Sequence, residues 1–246
     1  MLEDIVLFAL VGFLAQIIDG AIGMAYGLTA TSVLLSMAVP PATASASVHA
    51  AEMFTTGASG YAHWRAGNVI PRLVWRLALP GVVGGVLGAY VLTDLPVAWV
   101  KPVVSIYLLA MGVLILLRAL RQPKREPAHP PRVTLLGFGG GFLDAVGGGG
   151  WGPLVTSTLI GRGDVPRTAI GSTNAAEFFV TTAITAAFIT TIGLDLWPVI
   201  LGLVLGGVLA APLAALVTKR VPARPLMMVV GVVISLLALR GLIAAF

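Results

Sequence analysis

Long apolar stretches follow one another along most of the chain. A helix needs about 20 residues to cross a hydrocarbon core, and stretches of that length fall at 42–63, 71–93, 97–118, 167–190, 197–218 and 224–246. A charged, proline-rich segment at 121–132 separates the third stretch from the fourth, and neither a membrane span nor a packed core tolerates such a segment. The pattern predicts an all-α polytopic membrane protein with two transmembrane halves, 1–120 and 133–246, joined by a linker at 121–132.

The two halves repeat one another. Residues 19–57 align with residues 144–182 without a gap, at a constant offset of 125. The offset matches one aspartate and one glutamate of each half, Asp19 with Asp144 and Glu52 with Glu177. Internal repeats that embed polar residues in apolar sequence are typical of membrane transporters. We therefore expect the function to lie in the polar residues that the repeats share.

Each half begins with two short apolar runs on either side of a glycine-rich segment. The runs, each too short to cross a bilayer alone, fall at 5–18 and 27–38 in the first half and at 133–143 and 152–160 in the second. The segments between them are Asp19–Gly27 and Asp144–Gly152. Each glycine costs a helix about 1 kcal/mol, so we expect the backbone to unwind there. Because unwound backbone at membrane depth must be satisfied by protein or by a water-filled cavity, the breaks are predicted to line a site.

Basic residues predict how these short runs are arranged. The positive-inside bias places the 63–76 loop and the 121–132 linker in the cytoplasm. The basic segment Lys219–Arg224 shares that side only if residues 133–160 enter the membrane and return. Each half is therefore predicted to contain a broken re-entrant helical hairpin and three spanning helices. An odd number of crossings inserts the halves in opposite orientations, as two inverted repeats with both chain ends outside.

Composition narrows the class of protein. The chain is 58% hydrophobic and 10% charged, with a mean hydropathy of +1.00, which is typical of a multi-pass protein of the cell membrane. Its net charge of +5 lies in short loops rather than on a soluble basic face, so no nucleic-acid partner is expected. Cysteine is absent, and His49, His63 and His129 lack metal-ligand spacing, so we expect no metal and no cofactor.

The most specific motif in the chain lies in the second half. It reads Asp144-Ala-Val-Gly-Gly-Gly-Gly-Trp-Gly-Pro-Leu-Val-Thr-Ser157, followed by Ala169-Ile-Gly-Ser-Thr-Asn-Ala-Ala-Glu177. With this motif the chain resembles the sulfite exporter TauE/SafE family of membrane permeases. The resemblance covers nearly the whole chain, although the first-half copy of the glycine motif is more degenerate. It implies export of small sulfur-containing anions, such as sulfite or organosulfonates, and it does not select one of them.

The helices that follow the breaks offer an anion site. Helix N-termini attract anions through free amides and the positive end of the helix dipole, and hydroxyl groups lie about one turn further on. The candidate substrate-binding residues are Gly23, Tyr26, Gly27, Thr31, Ser32, Gly148, Gly149, Gly150, Trp151, Gly152, Thr156 and Ser157, together with His49 and Asn174 on the next helix of each half. In the alternative reading, the small residues only allow close helix packing.

Four acidic residues are candidates for proton coupling, namely Asp19, Glu52, Asp144 and Glu177. A carboxylate buried in a membrane is costly unless it is protonated, paired or in contact with water, and such groups commonly serve as proton relays. In the alternative reading, the same residues cap the broken helix ends or form hydrogen bonds between the repeats.

The sequence thus predicts a secondary transporter of small sulfur-containing anions, an exporter by its resemblance, that works by alternating access between the halves. A proton is the candidate coupling ion. The alternative is an anion channel, or a carrier for another small anion such as a carboxylate or bicarbonate. An enzyme is not expected, because Glu52 with His49 is the only candidate catalytic group and it lacks a partner set. The expected partners are a small anionic substrate and the lipid bilayer. The sequence leaves open whether the protein forms a homo-oligomer.

Overall fold

A computed structural model describes residues 2–120, 132–162, 164–217 and 223–243, and every regular element in those ranges is helical. The all-α prediction is therefore confirmed. The first half contains α1 (Leu2–Ile22), α2 (Tyr26–Ser36), α3 (Pro41–Arg65), α4 (Pro71–Asp94) and α5 (Val97–Leu120). The second half contains α6 (Val133–Gly147), a π-helical turn (Gly152–Thr156), α7 (Ser157–Gly161), α8 (Pro166–Thr191), α9 (Trp197–Val217) and α10 (Ala223–Ile243). The predicted linker, apart from Arg132, and the basic residues Lys219 and Arg220 lie outside the described residues.

Three helices begin with a proline that the sequence places at a span boundary. Pro41, Pro71 and Pro166 occupy the first turns of α3, α4 and α8. Proline suits this position because its missing N–H would have no partner within the helix, and its fixed φ already fits the helical backbone. These starts agree to within a residue with the predicted spans at 42–63, 71–93 and 167–190.

Among the described residues, three helices are long and apolar enough to cross a membrane, at Pro71–Asp94, Val97–Leu120 and Arg224–Ile243. Two others, α3 with 25 residues and α8 with 26 residues, have the necessary length. Their sequences carry many Ser, Thr, Asn and Glu residues, which lower the mean hydropathy. The other three predicted spans, at 42–63, 167–190 and 197–218, therefore stay predictions.

The lipid-facing surface is visible on α4. Leu79, Val83 and Leu87 follow one another at four-residue spacing and are 63%, 54% and 48% exposed. Residues four apart lie on one side of a helix, so these side chains form a continuous exposed apolar stripe. On a soluble protein such a stripe would promote association; in a membrane protein it is the surface that contacts lipid.

Both breaks are shorter than predicted and begin later. Helix α1 continues through Asp19 to Ile22, and α6 continues through Asp144 to Gly147. Each aspartate therefore lies in a final helical turn, where its backbone carbonyl accepts the N–H of Gly23 at 2.5 Å or of Gly149 at 3.0 Å. With 21 residues, α1 is about 31 Å long. This is longer than the predicted run at 5–18, whereas α6 has only 15 residues. Among the described residues, α1 is not one of the helices that are both long and apolar enough to cross a membrane, so the re-entrant arrangement stays a prediction.

Residues of the two breaks that lie 125 positions apart also have similar backbone conformations. Gly23 and Gly148 end their helices in the left-handed conformation, with φ of 70° and 65°, as is common at helix C-termini. Two residues later, Ala25 and Gly150 have φ of 150° and 152°. This region of φ is normally restricted to glycine, so Ala25 is held in a strained conformation that its equivalent, Gly150, adopts at little cost.

The two halves are interleaved rather than side by side. The first helix of each half packs against the fourth helix of the other half, α1 on α9 and α6 on α4. Within the first of these pairs, Gly202 contacts Phe8 and Gly206 contacts Phe13, so the two helices run in the same direction. These glycines allow close backbone approach, which is a common way of packing membrane helices.

Equivalent helices of the two halves also pack against each other, α3 on α8 and α5 on α10. Gly57 contacts Phe178, whereas Gly60 contacts Ala175, so residue numbers rise along α3 as they fall along α8. The same reversal occurs between α5 and α10, where Ser105 contacts Gly241 and Gly112 contacts Gly231. Each pair of equivalent helices is therefore antiparallel.

Candidate functional site

The two breaks lie against each other at the interface between the halves. Gly27 and Gly149 are in backbone contact, and Gly152 lies against Met24. The Thr31 hydroxyl, one turn into α2, donates a hydrogen bond to the carbonyl of Gly148 across this contact. The absence of side chains on the glycines is therefore what allows the two unwound segments to touch.

The equivalent aspartates of the two halves form the same hydrogen bond. The Oδ1 atom of Asp19 accepts the N–H of Tyr26 at 3.3 Å, and Oδ1 of Asp144 accepts the N–H of Trp151 at 3.0 Å. Each aspartate thus joins the end of one helix to the start of the next and satisfies an N–H that has no helical partner. These hydrogen bonds favour the capping interpretation of the aspartates.

The equivalent aromatic residues of the breaks anchor them to neighbouring helices. The Tyr26 hydroxyl donates to the carbonyl of Leu203 at 2.9 Å, and the Trp151 indole N–H donates to the carbonyl of Thr173 at 3.2 Å. Both side chains are buried. Each aromatic ring therefore fixes its break with a hydrogen bond as well as by packing.

A small polar cavity lies beside the breaks. Its volume is about 10 Å³, close to the minimum that one water molecule needs. Both halves contribute to its lining, which consists of Gln16, Asp19, Tyr26, Glu52, Thr55, Thr56, Ser59, Asn174 and Glu177. The described lining contains three carboxyl groups and neither lysine nor arginine. The cavity is therefore acidic, and its charge balance depends on protons or on a bound ion.

The helices that carry the two glutamates present them to this cavity in matching ways. Thr56 donates to the backbone carbonyl of Glu52 at 2.6 Å, and Thr181 donates to that of Glu177 at 2.9 Å. Asn174 differs from its equivalent, His49, because its side-chain amide donates to the Ser59 hydroxyl at 2.7 Å and so links α8 to α3. The structure thus brings together three of the four predicted coupling residues, and Tyr26 and Asn174 join them.

His49 lies with the fourth acid in a second buried group. Its Nδ1 is 2.8 Å from the backbone carbonyl of Ser45, and its Nε2 is 3.3 Å from Oδ2 of Asp144. Ligand atoms of His49, Glu52 and Asp144 all lie within 4.8 Å of one another. The sequence does not reveal this group, because Asp144 is 95 residues from His49 along the chain and belongs to the other half.

The remaining predicted site residues lie outside the cavity lining as described. Gly23, Gly27, Gly148, Gly149, Gly150 and Gly152 form the breaks, and Thr31, Thr156 and Ser157 bond to protein groups. The Ser32 hydroxyl is buried without a hydrogen-bond partner among the described residues. Gln16 was missed, although a single amide within an apolar run is a recognisable signal. Tyr107 was missed as well, and its hydroxyl donates to the carbonyl of Gly149 at 2.9 Å.

Repeated halves that enclose a polar cavity within a helical membrane protein are typical of membrane transporters. More specifically, the chain belongs to the sulfite exporter TauE/SafE family, whose model matches residues 8–241. It is 41% identical over 251 residues to "Probable membrane transporter protein YtnM" of Bacillus subtilis (strain 168), with 98% of this chain and 84% of that protein covered. No solved structure matches the chain. The family, the transport function and the location in the cell membrane, all predicted from the sequence, are thereby confirmed.

Proposed function

We propose that the chain is a proton-coupled secondary transporter of small sulfur-containing anions, such as sulfite or an organosulfonate, that works by alternating access between its halves. The observation that carries this proposal is the acidic cavity at the interface. Carboxyl groups of Asp19, Glu52 and Glu177 share a lining without a described lysine or arginine. Like charges so close together in a poorly solvated space favour protonation of at least one carboxyl group.

This charge balance links anion binding to proton binding. An anion that enters a cavity lined by ionised carboxylates is repelled, whereas neutral carboxyl groups can donate hydrogen bonds to it. Each ligand therefore raises the affinity for the other, by the reciprocity of coupled binding. The Ser59 hydroxyl and the second N–H of the Asn174 amide supply further donors around the same space, whereas the hydroxyls of Tyr26 and Thr55 already donate to backbone carbonyls.

The size of the cavity supports alternating access. A volume of about 10 Å³ accommodates about one water molecule and is too small for an anion of four or more heavy atoms. We interpret the present state as closed around the site. Opening then requires the halves to separate at their interface, where the breaks are in contact through Gly27 and Gly149. In this proposal the backbone amides of both breaks become available to the anion when they separate.

Helix directions support the inverted arrangement of the repeats. An inverted repeat makes equivalent helices antiparallel, whereas a parallel repeat makes them parallel. The antiparallel pairs α3 with α8 and α5 with α10 therefore agree with a hairpin, rather than a single crossing, at the head of each half. On this topology the linker lies in the cytoplasm and both chain ends lie outside.

Transport in proteoliposomes tests the coupling. Glu177→Gln and Glu52→Gln keep the side-chain shape but cannot release a proton at ordinary pH, so each is expected to abolish the accumulation of labelled sulfite that a pH gradient drives. Exchange of labelled for unlabelled sulfite, which needs no net proton movement, is expected to persist. Glu3→Gln, the same change at an exposed residue in the first turn of α1, is the matched control.

Two outcomes would contradict the proposal. If both glutamine variants concentrate sulfite as the parent does, the glutamates have a structural role and the driving force lies elsewhere. If the parent itself equilibrates sulfite but never concentrates it under a pH gradient, the protein is a channel rather than a coupled carrier.

A further inference from the structure

We propose that His49, Glu52 and Asp144 form a binding site for a divalent transition-metal ion of the zinc type, which bridges the two halves of the protein. His49 and Glu52 belong to α3 of the first half, and Asp144 belongs to α6 of the second. All three side chains are buried, at 0%, 3% and 1% exposure. Their ligand atoms lie within 4.8 Å of one another.

The hydrogen bonds of His49 prepare its Nε2 to bind a metal. The Nδ1 atom is 2.8 Å from the carbonyl of Ser45, which can only accept, so Nδ1 carries a proton. The hydroxyl of Ser45 is itself committed to the carbonyl of Ala145 at 2.6 Å. In a neutral imidazole, Nε2 then has a free lone pair, and it points at the Asp144 carboxylate 3.3 Å away. An N–H to backbone carbonyl bond of this kind typically orients a metal-binding histidine.

The carboxylates of Asp144 and Glu52 are also positioned to bind the ion. Asp144 is held by its Oδ1, which accepts the N–H of Trp151 at 3.0 Å, so that Oδ2 is the oxygen that faces His49. The Oε2 atom of Glu52 is buried and has no hydrogen-bond partner among the described residues. A buried carboxylate oxygen without a partner is costly, and this independent observation indicates a missing ligand in the group.

Charge and distance both fit a zinc-type ion. Two carboxylates and a neutral imidazole together carry the charge of −2 that balances a divalent cation, which is important where the surroundings are poorly solvated. Zinc binds nitrogen and oxygen at about 2.0–2.2 Å in tetrahedral geometry, which separates two ligand atoms by about 3.3–3.6 Å. The 3.3 Å between Nε2 of His49 and Oδ2 of Asp144 falls within this range. The ligand oxygen of Glu52 lies within 4.8 Å of both atoms, so any separation longer than the range must close when the ion binds. An imidazole ligand favours zinc over magnesium or calcium, which prefer oxygen alone.

The second half cannot form the same site. The residue equivalent to His49 is Asn174, whose amide nitrogen already donates to Ser59. A single ion between α3 and α6 would hold the two halves in their present packing. Under the proposed function, which requires the halves to separate, zinc is therefore expected to inhibit transport, although its binding can be measured without transport.

Zinc titration of the purified full-length protein tests the site directly. After metal removal with a chelator, isothermal titration calorimetry is expected to show one zinc ion bound per chain, undisturbed by an excess of magnesium or calcium. His49→Asn, which installs the residue found at the equivalent position of the second half, is expected to weaken zinc binding at least about tenfold. Glu52→Gln provides the same test if the first variant fails to fold, as judged by gel filtration. His63→Asn is the matched control.

Three results would overturn the proposal: no stoichiometric zinc binding by the parent, unchanged binding by folded His49→Asn and Glu52→Gln variants, or loss of binding in His63→Asn alone. Because the readout is binding, such a result leaves the proposed transport function untouched. Conversely, zinc binding by a protein that fails to concentrate sulfite would contradict the transport proposal alone.

Discussion

Adding one methyl group at Gly149 should separate the two breaks. A β-carbon at this position would lie 2.4 Å from the backbone nitrogen of Leu28 and 2.5 Å from the carbonyl carbon of Gly27, where ordinary contact begins at 3.4 Å, so the backbones must part by about 1.0 Å (3.4 − 2.4). Overpacking of this kind costs about 1–3 kcal/mol. The φ of 142° at Gly149 adds about 1–3 kcal/mol for an L-residue. We therefore expect Gly149→Ala to reduce the free energy of unfolding by about 2–6 kcal/mol.

Thermal unfolding of the detergent-solubilised protein measures this effect. Gly149→Ala is expected to lower the melting temperature by at least about 4 °C, with a loss of monodisperse protein on gel filtration. Gly139→Ala is the matched control, because it lies in α6 and has nothing within 4 Å of an added β-carbon. Alanine there should be neutral or should stabilise the helix by about 0.5–1 kcal/mol. If the two variants have the same melting temperature, the contact between the breaks is not what requires glycine at position 149.

Two further predictions concern the strained residue and the topology. Ala25→Gly should raise the melting temperature. The strain at a φ of 150° costs alanine about 1–3 kcal/mol, whereas the greater conformational entropy that glycine gives the unfolded chain costs only about 0.4–1 kcal/mol of stability. A lower melting temperature would contradict the assigned conformation. Reporter fusions should place the 121–132 linker in the cytoplasm and Phe246 outside, and a cytoplasmic signal at Phe246 would contradict the inverted repeat.

The sequence anticipates those features that depend on local chemistry. The repeat offset pairs Gly23 with Gly148, and their φ values match, because equivalent residues meet equivalent backbone requirements. It does not predict where the breaks begin, because aspartate and glycine are as acceptable in a final helical turn as in unwound backbone. Asp19 and Asp144 therefore lie inside helices, although they were expected to begin the breaks.

Contacts between distant segments are what the sequence cannot supply. The group of His49, Glu52 and Asp144 depends on how α3 packs beside α6, and no spacing along the chain encodes that packing. The glycine-rich segments were expected to approach a substrate, and in this state Gly27 and Gly149 approach each other. Low steric bulk permits either contact, so only the tertiary arrangement can distinguish them.

The interleaving of the halves has a consequence for biosynthesis. Phe8 of α1 leaves the ribosome 194 residues (202 − 8) before Gly202 of α9, against which it packs. At about 5–20 residues per second, this delay is roughly 10–40 s. During that time α1 has no α9 to pack against. The newly made first half therefore needs either the insertion machinery or a temporary helix contact to protect it until the ninth helix arrives.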